Sequence, residues 1–108
     1  MQKTLVTNRK AFHDYEILEN FEAGIELLGC EVKSILANKV SLNEGYANCD
    51  NGEAFLHIHI SPYDQNVNYD PTRKRKLLLH KKEIVYLTNE INRKRLTLIP
   101  LQLYFKNF

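Results

Sequence analysis

The stretch SLNEGYANCDNGEAFLHIHI, residues 41–60, decides the fold. Asp50, Asn51 and Gly52 at its centre are a tight-turn signal. Residues 41–50 before the turn read as a strand with Leu42, Tyr46 and Cys49 as apolar anchors. Residues 53–60 read as a second strand, on which His57 and His59 alternate and so share a face. The pair predicts an antiparallel β-hairpin.

Upstream, residues 29–38 change period. Val32, Ile35 and Leu36 stand at i, i+3 and i+4, which predicts a short amphipathic helix stopped at Asn38. Residues 15–28, YEILENFEAGIELL, alternate apolar and acidic residues and predict a long half-buried strand. Leu18 to Asn20 break its phase and Gly24 weakens it, so a bulge or bend is expected there. Residues 8–14 read as a helical turn or the run-up to a strand, and residues 1–7 as a flexible lead-in to one domain over residues 8–108.

Downstream, residues 61–68 are a loop by composition. Asp70 and Pro71 suit a helix start, and a fresh helix is expected near Lys81, with Ile84, Leu87 and Ile91 as its stripe and Asn92 as its end. Residues 96–105 are β-rich, and Pro100 predicts an edge or a bulge. Asn107 would open a further turn. About four strands with flanking helices make the chain mainly β, and a small open antiparallel barrel fits best.

The charge is unevenly spread. Of the 15 Lys/Arg and 13 Asp/Glu in the 108 residues, residues 1–70 hold 5 and 11, whereas residues 71–108 hold 10 and 2. A basic face is implied rather than a diffusely basic protein. Its centre is DPTRKRKLLLHKKE, residues 70–83, where Arg73 to Lys76 and Lys81–Lys82 surround Leu77, Leu78 and Leu79. Charges resist burial and leucines resist water, so the stretch is expected to lie with leucines inward and cations outward, facing a polyanion. Arg93, Lys94 and Arg95 add to it. Tyr15, Tyr63, Tyr69 and His13 are candidates to stack on bases, or else packing residues.

Other chemistries find little support. His57 and His59 have no obvious third ligand, since the register of Cys49 is open, so surface histidines are preferred to a metal site. Glu16, Glu19, Glu22 and Glu26 read as a solvated strand face rather than an acid–base pair. No nucleophile, phosphate-loop or zinc-protease pattern occurs, and no cofactor is expected. Cys30 and Cys49 are expected as reduced thiols in a cytoplasmic protein. Residues 1–10 hold no apolar run, and no stretch nears the roughly 20 apolar residues of a spanning helix.

NRKAFHDY (8–15), FEAGIELLGCEVKS (21–34), HISPY (59–63), DPTRKRKLLLHKKEI (70–84) and LYFKN (103–107) resemble, in order and spacing, the small protein B (SmpB) family. The resemblance implies an oligonucleotide-binding-type (OB) barrel, incomplete at its C-terminal edge. It also implies a non-enzymatic, monomeric RNA-binding protein that takes the tRNA-like domain of transfer-messenger RNA (tmRNA) to stalled 70S ribosomes for trans-translation, touching small-subunit ribosomal RNA and no membrane. Asn8, Glu22 and Leu78 match the family's RNA-contacting positions. Around them the expected RNA-binding residues are Arg9, His13, Ala23 and Lys33, and on the basic stretch Arg73, Arg75, Lys76 and Lys81. The alternative is a general single-stranded or ribosomal RNA-binding OB protein. Leu36 and Asn38 stand where the family usually has Arg and Gly. The family continues past LYFKN with a basic strand and a Lys/Arg-rich tail; the resemblance leaves open whether tagging is supported without them, and a barrel edge is expected to be unpaired.

Overall fold

A computed structural model of the chain describes residues 2–106. The elements run β1 (Gln2–Thr7), α1 (Arg9–Asp14), β2 (Gly24–Ile25), α2 (Gly29–Leu36), β3 (Val40–Asp50), β4 (Glu53–Ile60), β5 (Arg75–Leu78), α3 (Lys81–Lys94) and β6 (Gln102–Lys106). The hairpin forms where its turn signal lies. Asp50 pairs with Glu53, and Asn51 and Gly52 between them take φ of 51° and 77°, the left-handed region a two-residue hairpin turn needs. All strand pairs are antiparallel. One sheet has the order β2–β5–β4–β3; β1 and β6 form a second. A bridge from Ala47 to Leu98 ties β3 to the segment before β6.

β4 organises the core. Ala54, Leu56, Ile58 and Ile60 face inward and are buried, while Phe55, His57 and His59 face outward. Ile35 of α2, Leu42 and Leu103 close on the inner row. Each such aliphatic side chain contributes about 1.5–3 kcal/mol when fully buried. Between Ser41 and Tyr46 the β3 register shifts, with Glu44 at φ 64°. That bend changes the strand's phase. Leu42 therefore points inward, as expected of an anchor, but Tyr46 points outward.

The barrel is open. Among the described residues the two sheets do not join into a closed cylinder. An apolar cleft of about 1220 Å³ lies between them, walled by Leu56, Leu77, Leu87, Ile91 and Leu103. Among the described residues no helix is long and apolar enough to cross a membrane.

Several local expectations are corrected. Residues 2–7, read as a flexible lead-in, form β1, because β6 offers them a partner. Of the long strand expected over 15–28, only Gly24 and Ile25 pair, and they pair with β5; residues 16–23 form no regular element and line the cleft, with Leu18 61% exposed. Period two is there without a neighbouring strand to complete a ladder. Asp70 and Pro71 do not start a helix. The Asp70 carboxylate accepts from the Thr72 amide (2.9 Å) and hydroxyl (3.0 Å), closing a turn that feeds β5. α3 runs past Asn92 to Arg95, which ends it in a left-handed conformation (φ 54°). In the region read as β-rich, the strand begins only at Gln102. Asn107, expected to open a turn, lies outside the described residues.

The basic stretch departs most from expectation. As a strand it sends alternate residues to opposite faces, so Arg75 and Leu77 point inward and Lys76 and Leu78 outward. Arg75 is 0% exposed. Its partner is Glu31, also 0% exposed, on α2. Arg75 Nε donates to Glu31 Oε2 at 2.8 Å, and Arg75 Nη1 donates to the carbonyls of Ile58 (2.9 Å) and Pro71 (3.1 Å). Arg73 Nε donates to the same Oε2 at 3.1 Å, its Nη2 to Oε1. Glu31 Oε1 also accepts the Leu28 amide at 2.8 Å, capping α2. Burial works to raise the Glu31 carboxyl, but the Arg73 hydrogen bonds, the Leu28 amide and Arg75 outweigh it and hold the group below its ordinary range.

Glu31→Ala would leave Arg75 buried without a counter-charge, and we expect it to cost about 3–5 kcal/mol in urea denaturation at pH 7. Because the folded pKa is depressed, this carboxylate's share of stability is present above its unfolded pKa of about 4.3 and is lost as pH falls through the folded value. Acid denaturation of Glu31→Gln should lack that portion of the pH dependence.

Candidate nucleic-acid interface

The register of β2 against β5 sets Gly24 opposite Leu78. A Cβ on Gly24 would stand 3.2 Å from Leu78 Cδ1, a tight contact, so the leucine side chain lies closely over the glycine. Leu78 stays 54% exposed at this edge. Two residues before Gly24, Glu22 is exposed and held by β6: Lys106 Nζ lies 3.1 Å from its Oε1, and the Tyr104 hydroxyl donates to its Oε2. Ala23 between them is half-buried. FEAG and RKLLL, about fifty residues apart in the chain, thus meet on one sheet edge.

The outer face continues from Leu78. Lys76 pairs across the ladder with Phe55 and reaches Glu53 at 3.2 Å. Lys74 Nζ lies over the Phe55 ring, 4.4 Å from its centroid. One ladder step along β4, His57 stacks on Tyr46 of β3 with centroids 4.5 Å apart and rings 13° from parallel. Asn48 Oδ1 lies 2.7 Å from His57 Nε2 and can only accept, so that nitrogen carries the proton. Burial, helped by the charge of Lys74, lowers the His57 pKa.

The other expected residues separate into structural and free groups. Asn8 is 5% exposed. Its Oδ1 accepts from the Ala11 amide (3.2 Å), capping α1, and its Nδ2 donates to the carbonyls of Leu42 (3.3 Å) and Pro100 (3.0 Å). It ties α1 to β3 and to the approach of β6, leaving Arg9 and His13 on the exposed side of that short helix. Arg73 and Arg75 are bound to Glu31, so neither is a free surface cation. Lys33 is exposed, with Nζ 5.8 Å from the Tyr63 ring centroid. Lys81 is exposed at the start of α3. Among the described residues Arg9, Lys33, Lys74, Lys81 and Lys82 form no ion pair. Tyr69 is a packing residue, its hydroxyl 3.0 Å from that of Ser34.

Sequence reasoning missed two groups. The first is Glu31, which no local signal marks as the counter-ion of arginines 42 and 44 residues away. The second is the outward row of Phe55 and His57, and the signal that marks it is the inward apolar row of β4 that alternates with it. Cys49 pairs with inward Ala54 and so faces away from the two histidines. Among the described residues no three His, Cys, Asp or Glu side chains gather to hold a metal. Both cysteines are free.

An open antiparallel sheet with short flanking helices and a basic, ring-bearing outer face defines a class of small β domains. Comparison narrows it. The family model described as SmpB protein matches residues 5–108. A protein named SsrA-binding protein from Microcystis aeruginosa is 56% identical over 108 residues, covering 96% of this chain and 70% of that protein. One of the same name from Ligilactobacillus salivarius is 54% identical over 106 residues, covering 95% and 68%. A chain from the solved structure described as "tmRNA-SmpB: a journey to the center of the bacterial ribosome" superposes with a TM-score of 0.77 at 50% identity, covering 94% of this chain and 73% of that one. The chain belongs to the SmpB family.

His57 should titrate below the ordinary imidazole value of about 6.5 in an NMR pH series. Lys74→Ala should move its midpoint upward, because a like charge disfavouring the imidazolium is removed. A midpoint that does not respond to the substitution would remove Lys74 from the ring's surroundings.

Proposed function

We propose that this chain binds tmRNA through its tRNA-like domain and delivers it to stalled 70S ribosomes for trans-translation, in which the ribosome is rescued and the nascent chain tagged. Membership of the SmpB family supports the reading, as do relatives named SsrA-binding protein and a solved neighbour whose description names tmRNA-SmpB and the bacterial ribosome. The observation that carries it to particular residues is the Gly24–Leu78 pairing, which brings the FEAG and RKLLL motifs to one exposed edge. Leu78 offers an apolar contact to a base or sugar there, and Glu22 offers a carboxylate to exocyclic amines or 2′-hydroxyls.

The work divides between two kinds of cation. Lys74, Lys81 and Lys82, which form no ion pair among the described residues, neutralise phosphates. Arg73 and Arg75 act as positioning residues by fixing β5. Asn8 acts the same way, anchoring the helix that carries Arg9 and His13. The chain does this as a monomer in the cytoplasm, by binding without catalysis, and meets small-subunit ribosomal RNA on the ribosome.

The test is a titration with a tRNA-like RNA against a matched hairpin that lacks the elbow. Preference for the elbow supports the reading, whereas equal affinity for the hairpin or for an unstructured strand points to a general RNA binder. Replacing Lys81 and Lys82 by Ala should weaken binding and flatten the slope of log affinity against log salt by up to about 2. Glu22→Ala should weaken binding with the slope unchanged. A lysine pair whose removal leaves the slope intact does not meet phosphate.

A further inference from the structure

The outer face of the sheet holds more nucleic-acid chemistry than the Leu78 edge uses. From β5 to β3 it presents Leu78 and Lys76, then Phe55 beneath Lys74, then His57 stacked on Tyr46. These side chains belong to neighbouring strands, so the row spans about 10 Å, two strand spacings.

Each member has a property that core packing does not require. Tyr46 is 47% exposed although one side of its ring is covered by His57. His57 is kept neutral by burial and by Lys74, which suits a ring that stacks rather than one that pairs with phosphate. The Asn48 amide oxygen is spent on His57 Nε2, which leaves its NH₂ group to donate to a base carbonyl. Lys74 makes no ion pair among the described residues and sits in the middle of the row. Of the acids of this face, Asp50 and Glu53 lie at the hairpin tip, where Glu53 is engaged by Lys76, and Glu26, just past β2, stands beside Lys76, away from Lys74 and the rings. A phosphate path therefore crosses Lys74 and avoids the tip. Rings interleaved with lysines on the face of an antiparallel sheet fit a single-stranded nucleic-acid segment, whose bases stack on the rings while its phosphates meet the lysines, better than a protein partner, whose interface core is depleted of charged residues and of lysine.

We propose that the RNA surface extends from Leu78 across this face, with an unpaired base stacking on the Tyr46–His57 pair and its phosphate beside Lys74. The proposal rests on the RNA-binding reading above and names a second contact within it. The occupant is an unstacked nucleotide of the bound RNA, beyond what the Leu78 edge touches.

The experiment compares Tyr46→Ala, Tyr46→Phe and Leu78→Ala in the full chain, with the tRNA-like RNA as ligand and far-UV circular dichroism as the check on folding. Tyr46→Ala should lower affinity roughly tenfold with an unchanged salt slope, because a stacking contact and not a charge is lost. Tyr46→Phe keeps the ring and should bind as the wild type does. If Tyr46→Ala disturbs the fold, Tyr46→Leu, which keeps a bulky apolar group on the strand, takes its place with the same expected loss. Full affinity of the Ala or Leu variant alongside a weakened Leu78→Ala overturns the extension and leaves the proposed function standing. Full affinity of both Tyr46→Ala and Leu78→Ala overturns the extension and the Leu78 edge together.

Discussion

One buried carboxylate sets the arrangement of this protein. Glu31 lies at the start of α2 with no exposure and takes hydrogen bonds from Arg73, Arg75 and the Leu28 amide. Two guanidinium groups in one site are tolerable only with a negative charge between them, and desolvating all three is worthwhile only when their donors and acceptors are matched. Here the match is nearly complete, since Arg75 also satisfies the carbonyls of Ile58 and Pro71. Among the described residues no buried side-chain nitrogen or oxygen lacks a partner. The triad fixes α2, β4 and the turn before β5 in one geometry, which a purely apolar contact would not do so specifically.

That geometry sorts the charges of the basic stretch. A strand must send neighbours to opposite faces, so fastening Arg75 inward compels Lys74, Lys76 and Leu78 outward. The same fastening holds β5 between β2 and β4, which is how Gly24 comes to face Leu78 and Phe55 comes to face Lys76. The outer face thus owes its pattern of cations and rings to an ion pair that never touches it. The inner row, Ala54, Leu56, Ile58 and Ile60, keeps the hairpin on the core and the outer row turned away from it.

Much of this was legible in the sequence, and the reasons are local. The hairpin followed from Asn51-Gly52 between two extended runs, and α2 and α3 from apolar residues at helical spacing. The family was legible from five ordered motifs. What failed depended on distant partners. Residues 2–7 carry no strong pattern and become a strand because β6 lies beside them, whereas residues 15–23 carry a strand-like pattern and find no partner. The bend at Glu44 shifts the phase of β3 and carries no periodic signal, which is why spacing alone puts Tyr46 on the inward face. The basic stretch was read as a surface because four cations in a row suggest one. Its actual division depends on Glu31, more than forty residues away. Of the residues expected to meet RNA, Leu78, Glu22 and Lys76 fall on or beside the outer face; Asn8, Arg73 and Arg75 instead hold the framework, a distinction that composition does not encode.

The central claim is that the Glu31 triad presents one face of the sheet, from Glu22–Gly24 and Leu78 to Tyr46, to RNA. The most direct measurement is an amide chemical-shift map of the chain as a tRNA-like RNA is added. The account predicts the largest changes in residues 22–24, 46–48, 55–57, 74–78 and 81–82. Changes concentrated on residues 93–95 or on the cleft lining around Phe12 and Leu18, with the sheet face silent, would contradict it.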